Sequence, residues 1–397
     1  MVFDHVPTCF VYNSTIITEN VASLRSHLPG VRLLYSIKCN PFPALVAHLH
    51  SLGLGMDAAS SGEVALAKQI GCSKEEIFYS APGKSEEDIA YTLDSCVLVA
   101  DSLTELSRIN ALARQKDCCV AVGVRINPLL ALMPSAFGAI ENHGMPCKFG
   151  IDEEQFFASC DFLQSLSSLQ IIGLHIYLRS QIINEQALID IAEYGFLLLH
   201  RMQSLLGKKL SFLNIGGGFG ISTPTWPALS FNRLKERLNQ HLPRLSGVCV
   251  YAESGRYLVS QAGTYYTRIE DIKISRGSIF YITAGTLQGF LRPSIAELTK
   301  TQFKQKDLWP CEPLFSSNDC HQITLVPGKA STKRSPKRIP VTVVGNLCTA
   351  ADCIASNILL PMAEIGDYIA VSNAGAYGYT LSPLAFSSHR PPQEFFL

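Results

Sequence analysis

The sequence predicts an α/β fold: a (β/α)8 TIM-like barrel followed by a C-terminal antiparallel β-domain that also takes the N-terminal strand. Three observations lead there. Short apolar runs alternate with helical stretches about eight times, the count and size of a closed barrel. No turn between a run and the next helix carries GxGxxG, the mark of the open doubly wound alternative. Past Leu258 the texture changes to strand-like runs separated by turns, with little helical periodicity.

The elements follow in order. The run Thr8-Cys9-Phe10-Val11-Tyr12 reads as a short strand with no place in the barrel count, so it is assigned to the C-terminal domain. A helix is expected from Thr18 to Leu28. The barrel strands are then read at residues 32–38, 54–60, 77–81, 97–101, 120–127, 171–178, 212–217 and 248–253. Each is short and apolar, as strands buried on both faces are. Helices are read between them at residues 44–52, 62–69, 86–93, 103–115, 154–166, 185–206 and 231–241. Strand-like runs at residues 264–274, 278–283, 341–344 and 367–371 form the β-domain, and the polar span 299–340 reads as loop. The division is therefore residues 1–16 for the N-terminal strand, 17–258 for the barrel and 259–397 for the β-domain.

Composition narrows the function class. Among 397 residues, 33 basic side chains balance 33 acidic ones. The longest basic run is the short patch Lys333-Arg334…Lys337-Arg338, which argues against a nucleic-acid partner. No apolar run reaches membrane-spanning length, and residues 1–7 carry no apolar leader core. The thirteen cysteines lack the paired spacing of a disulfide framework, which suits the cytoplasm. Cys118-Cys119 and Cys348…Cys353 lack zinc-ligand spacing, so no metal is expected.

Chemistry-bearing residues gather where predicted strands end, the mouth of a barrel. Lys38 closes the first barrel run in Tyr35-Ser36-Ile37-Lys38-Cys39-Asn40; taken alone it reads as a surface lysine. Asp57, Ser60 and Glu63 flank the turn after the second run, where caps are the ordinary reading. Arg125 falls near the end of the fifth and His175 near the end of the sixth. Asn214-Ile215-Gly216-Gly217-Gly218-Phe219-Gly220 follows the seventh, and consecutive glycines let backbone N–H groups approach a phosphate. Glu253-Ser254-Gly255-Arg256 follows the eighth: either a simple ion pair, or Arg256 for a phosphate and Glu253 for a protonated ring nitrogen. A lysine, a phosphate cradle, an acid for a heterocycle and a flat imidazole on one face are the equipment for pyridoxal 5'-phosphate.

Carried further, these motifs resemble the fold type III pyridoxal-phosphate decarboxylases, the family of ornithine, arginine and diaminopimelate decarboxylases. YSIKCN resembles the Schiff-base motif at Lys38; DAASSGE, with Asp57 and Glu63, resembles the second-strand motif. GGGFG resembles the phosphate loop at Gly217 and Gly218, and ESGR resembles the motif that gives Glu253 to the pyridine nitrogen and Gly255 and Arg256 to the phosphate. GNLCTAAD resembles the motif whose cysteine, here Cys348, acts near the substrate across a dimer interface, with Asp352 beside it. GAYG resembles the motif whose tyrosine, Tyr377, contacts the phosphate.

The resemblance further implies that His175 stacks on the ring and Arg125 lies near its edge. The family's HxGS is not matched after His175; Tyr177 and Leu178 stand there, and a loop two residues longer puts Ser180 in the serine's role. CTAADC, NAGAYGYTLSPLAFSSH and HIYLRSQ resemble the siderophore-pathway and carrier-protein glutamyl branches, whereas LRPS resembles the diaminopimelate branch and makes Arg292 a candidate for a second carboxylate. The implied protein is a homodimer with shared active sites. The activity implied is decarboxylation of an amino-acid-like small molecule, with carrier-bound and citrate-linked carboxylates among the candidates. A diaminopimelate decarboxylase and an inactive regulatory binder on the same fold are the alternatives.

Overall fold

The computed structural model of the chain describes residues 5–129, 146–222, 228–302, 321–329 and 337–397; Lys333 and Arg334 of the basic patch lie outside them. The chain divides into two compact units, one from Thr18 to Gly255 and the other holding the residues up to Ile17 and those from Arg256 to Leu397.

Strand β1 (Thr8–Tyr12) leads into helix α1 (Ser14–His27). The helix begins four residues before the expected Thr18, because the Asn13 carboxamide accepts the Ile16 N–H at 3.2 Å and caps it there.

The larger unit is a closed parallel barrel. Its elements are β2 (Val31–Ser36), α2 (Pro43–Ser51), β3 (Gly55–Ala58), α3 (Ser61–Gln69), β4 (Ile77–Ser80), α4 (Glu86–Thr92), β5 (Val97–Ala100), α5 (Leu103–Gln115) and β6 (Val120–Asn127). After β7 (Ile151–Asp152), α6 (Glu153–Ala158) and α7 (Cys160–Ser165) come β8 (Leu169–Ile176), α8 (Glu185–Leu206), β9 (Phe212–Asn214), α9 (Asn232–His241) and β10 (Cys249–Ser254). Strands pair in the order β2-β3-β4-β5-β6-β8-β9-β10, and β10 returns to β2. The two-residue β7 pairs only with β6. The helix read at 154–166 is two helices, broken at Ser159, whose φ −99° and ψ 30° leave the helical region.

Serines set several helix starts. Ser60, Ser85 and Ser102 each accept a backbone N–H from three residues on, at 3.2, 3.0 and 3.0 Å. Inside the barrel, Leu34, Phe78, Val99 and Phe212 form one buried cluster. Room for the Phe212 ring comes from two glycines: a Cβ on Gly173 would fall 2.2 Å from it and one on Gly123 2.7 Å. Lys84 is buried with Glu105; its Nζ donates to Glu105 Oε1 at 2.5 Å and to the carbonyls of Ala81 and Val99 at 2.8 Å each. This three-way bond ties the C-terminal ends of β4 and β5 to α5.

The second unit adds α10 (Arg256–Val259), β11 (Gly263–Ser275), β12 (Ser278–Thr283), α11 (Leu291–Gln302), β13 (Ile323–Val326), β14 (Arg338–Val344), β15 (Cys353–Pro361), β16 (Tyr368–Val371) and β17 (Gln393–Phe396). Its sheet runs β13-β16-β11-β12-β14-β15, and β1 pairs antiparallel with β11, as the sequence pattern suggests. Most pairings are antiparallel; β12 with β14 and β1 with β17 are parallel. Two local expectations are corrected. Residues 291–302 form a helix rather than a turn-rich stretch, and the polar span 299–340 contains β13 and the start of β14.

Candidate active site

All barrel strands point the same way, so their C-terminal ends form one rim. Register places Arg125 of β6 opposite His175 of β8, and His175 opposite Asn214 of β9. Ser36 of β2 lies opposite Asp57 of β3. Lys38 stands just past β2, in a single turn over Ile37–Cys39, and its Nζ is 3.5 Å from Asp57 Oδ2. Its side chain keeps 43% exposure whereas that of Asp57 has 2%, so the amine reaches the mouth from a buried anchor.

A chain of polar contacts crosses this rim. The Ser80 hydroxyl is 3.1 Å from His175 Nδ1, and His175 Nε2 is 3.0 Å from Glu253 Oε1. Asn214 Nδ2 donates to the same oxygen at 2.8 Å, and Asn214 Oδ1 accepts the Gly216 N–H at 2.9 Å. His175 Nε2 meets Glu253 as a close polar contact outside hydrogen-bond geometry, and Ser80 is the hydrogen-bond partner of the ring. Burial alone would raise the Glu253 carboxyl; the His175, Lys38 and Arg125 charges outweigh it and hold the group well below the usual carboxylate range. Asp57 goes the other way: burial and the nearby Glu253 raise it against the pull of Lys38. Two buried carboxylates thus shift in opposite directions because their neighbours differ.

The glycine loop folds against Glu253. A Cβ on Gly217 would meet the Glu253 carbonyl oxygen at 2.1 Å, and Gly218 has φ +86° with the Arg179 carbonyl at 1.9 Å from its would-be Cβ. Only glycine fits at either place. The N–H groups of Gly217 and Gly218 donate to nothing among the described residues. Segment 178–183 is pinned to this loop: the Ile182 N–H donates to Gly218 O at 2.7 Å and the Gly220 N–H to Ile182 O at 2.9 Å. Ser180 therefore lies beside the loop, with its Cα 3.3 Å from the would-be Gly218 Cβ, whereas Leu178 is buried. Gly255 packs on Cys39, whose Cβ would be 2.8 Å from a Cβ added there.

The second unit holds the other expected residues. The Arg256 guanidinium lies 5.0 Å from the Tyr377 ring centroid. Its Nε and the Ser260 hydroxyl are buried without a hydrogen-bond partner among the described residues. Arg292, in the first turn of α11, donates Nη1 to Ala376 O at 3.2 Å, next to Tyr377. His321 faces both arginines; burial, then Arg292, pushes its ring down to about 3, so it is neutral at physiological pH. Asp352 is buried and joins its loop to the segment after β12, accepting from the Thr286 hydroxyl and from the Leu287 and Leu347 N–H groups at 2.9 and 2.8 Å. Cys348, on the same loop, is exposed.

Ser80, Asn214, Asp101 and His321 belong to these constellations, yet sequence reasoning gave them no role. Asp101 Oδ1 lies 3.6 Å from Arg125 Nη1. None of these side chains sits in a distinctive pattern; their partners arrive from distant strands.

The residues present fit a phosphorylated pyridine aldehyde. The glycine loop offers unpartnered N–H groups and Glu253 a charged carboxylate whose Oε2 has no hydrogen-bond partner among the described residues; within the second unit, Arg256 offers a buried guanidinium whose Nε has no hydrogen-bond partner among the described residues.

Comparison with known proteins agrees. Residues 14–260 match the family model described as pyridoxal-dependent decarboxylase, pyridoxal binding domain. The L-glutamyl-[BtrI acyl-carrier protein] decarboxylase of Niallia circulans is 30% identical, over 97% of this chain and 87% of its own. A diaminopimelate decarboxylase of Aquifex aeolicus is 28% identical, over 94% and 82%. The 2-[(L-alanin-3-ylcarbamoyl)methyl]-2-hydroxybutanedioate decarboxylase of Staphylococcus aureus is 25% identical, over 98% and 94%.

Proposed function

The chain belongs to the pyridoxal-dependent decarboxylases, and we propose that it removes the α-carboxylate of an amino-acid-derived biosynthetic intermediate, with Lys38 as the amine that receives the cofactor. The observation that carries this reading is Lys38 and a charged, buried Glu253 on one barrel rim, beside a glycine loop with unpartnered N–H groups.

When bound, pyridoxal phosphate supplies an aldehyde that condenses with amines and a protonated ring that accepts the electron pair left as CO₂ departs. The chain's own residues do the rest. Glu253, through Oε2, holds the proton on the ring nitrogen. Ser80 and Asn214 fix the His175 ring and Glu253, so neither swings into the space the ring needs. The N–H groups of Gly217 and Gly218, with Ser180, Gly255, Arg256 and Tyr377, are proposed as phosphate ligands. Asp57 and Arg125 shape the charge around Lys38. Cys348 Sγ would return a proton to the substrate carbon, and Lys38 Nζ would hold the cofactor before substrate binds and after product leaves.

The substrate class follows from its relatives. Those named for a carrier-bound glutamyl group and for a substituted hydroxybutanedioate handle carboxylates with a large polar extension. A buried Arg292 beside the Tyr377 segment supports a second, distal carboxylate. The same arginine and the 28% identical relative support diaminopimelate as the second reading. In this reading a homodimer completes the site, and the reducing cytoplasm is the compartment, in keeping with eleven described cysteines that are all free thiols.

A decarboxylation screen tests the proposal. Enzyme loaded with pyridoxal phosphate is offered a carrier-bound glutamyl group, a citrate-linked amino-acid amide and diaminopimelate. CO₂ release from one of the first two supports it; release from diaminopimelate alone selects the second reading. No release from any of the three counts against both.

A further inference from the structure

Tyr177 is a large side chain at this rim to which the proposed reaction gives no role. It stands just past β8, two residues after His175. Its ring faces two cations at once: Lys38 Nζ lies 5.9 Å from the ring centroid and the Arg125 guanidinium carbon 5.7 Å. The Arg125 guanidinium also lies 4.6 Å from the Phe149 centroid, so two aromatic rings contact it.

The ring is held firmly in place. A Cβ on Gly216 would fall 3.3 Å from Tyr177 Cδ2, so the glycine loop packs directly against it. Burial raises the phenol above its ordinary range, so it stays a neutral hydroxyl. The carboxylates near the two cations are comparatively distant. Lys38 lies 3.5 Å from Asp57, and Arg125 lies 3.6 Å from Asp101. Both distances exceed those of a strong charge-assisted hydrogen bond, roughly 2.7–2.9 Å. The aromatic contacts thus add to ion pairs that are longer than strong charge-assisted bonds. An aromatic face attracts a cation through its quadrupole, most strongly where water is scarce.

We propose that Tyr177 is a positioning residue whose aromatic face, rather than its hydroxyl, orients the Lys38 amine and the Arg125 guanidinium at the barrel mouth, so that the site captures pyridoxal phosphate on Lys38. This rests on the reading that Lys38 receives the cofactor. Tyr177 takes no part in the chemistry itself. Its effect is on how well Lys38 and Arg125 are placed when the cofactor arrives.

The test uses the full chain, stripped of cofactor and titrated with pyridoxal phosphate. Affinity is read from visible absorbance, and attachment is read by borohydride trapping with peptide mass mapping. Y177F keeps the ring, whereas Y177L and Y177M fill the space without an aromatic face. Loss of a desolvated cation–π contact corresponds to roughly 10-fold weaker binding. We therefore expect Y177L and Y177M to bind about 10-fold more weakly, with less label on Lys38 at limiting cofactor. Y177F should stay within about 3-fold of the wild type. Should the two ring-free variants fail to fold, Y177F alone still decides, because a loss of tenfold order there assigns the role to the hydroxyl and overturns the proposal. Equal affinity in wild type and Y177L also overturns it. A wild type that is never labelled on Lys38 overturns the underlying reading instead, which separates the two failures.

Discussion

Glu63 and Glu253 show how residue-level environment decides protonation. Glu253 is held charged by its cationic neighbours despite burial. Glu63 has only Lys38 for such company, and its pull is the smallest of the influences on it. Burial raises it to about 7, the Ala59 N–H at 2.7 Å only partly offsets that, and Asp57 raises it further. An acid whose folded value lies above its unfolded one binds its proton more tightly when folded. Its contribution to stability is therefore present at low pH and is lost as pH rises from about 4.5 toward about 7. We expect thermal melts of wild type to lose ground to E63Q across that window, and the difference to be flat above it; a difference that does not change with pH would remove this account of Glu63. At this scale Lys38, Glu253 and the glycines were legible because each sits in a short, distinctive run. Ser80 was not, since it meets His175 across 95 residues of sequence and nothing local marks it.

At the scale of elements, the Lys84–Glu105 pair is the clearest source of rigidity under the rim. Breaking a buried ion pair by removing one partner costs about 3–5 kcal/mol, because the survivor is left charged and unsolvated. K84M should lower stability by roughly that amount in chemical denaturation. A K84M variant within about 0.5 kcal/mol of wild type would show that the pair does not anchor β4 and β5 to α5. The alternation of apolar runs with helices made the barrel readable, because strands buried on both faces carry their signal in composition alone. Helix α11 was missed for the opposite reason. Its buried face includes Arg292, Ser294 and Glu297, so no apolar stripe announces it, and Pro293 reads as a turn residue although the first turn of a helix tolerates proline.

For the whole molecule, the open question is how many chains make one site. Cys348 is exposed on its loop while its neighbour Asp352 is buried and pins that loop to the segment at Thr286 and Leu287. That arrangement suits a rigid loop that presents a thiol to another copy of the chain. Mixing K38A with C348A under conditions of subunit exchange should then restore activity in heterodimers. Random pairing makes about half the dimers mixed, each with one intact site, so about a quarter of wild-type activity is expected. Absence of recovery, with exchange verified, would mean that each chain completes its own site. The β1·β17 pairing illustrates what sequence patterns miss at this scale. It joins the two ends of the chain in parallel, and nothing in either strand names its partner.

The central claim is that Lys38 receives the cofactor. Borohydride reduction of the loaded enzyme, followed by peptide mass mapping, tests it most directly. The account expects the pyridoxyl group on Lys38 in the wild type and no stable label or visible absorbance in K38A. A wild-type label on a different lysine, or a K38A variant that is labelled and coloured like the wild type, would contradict it.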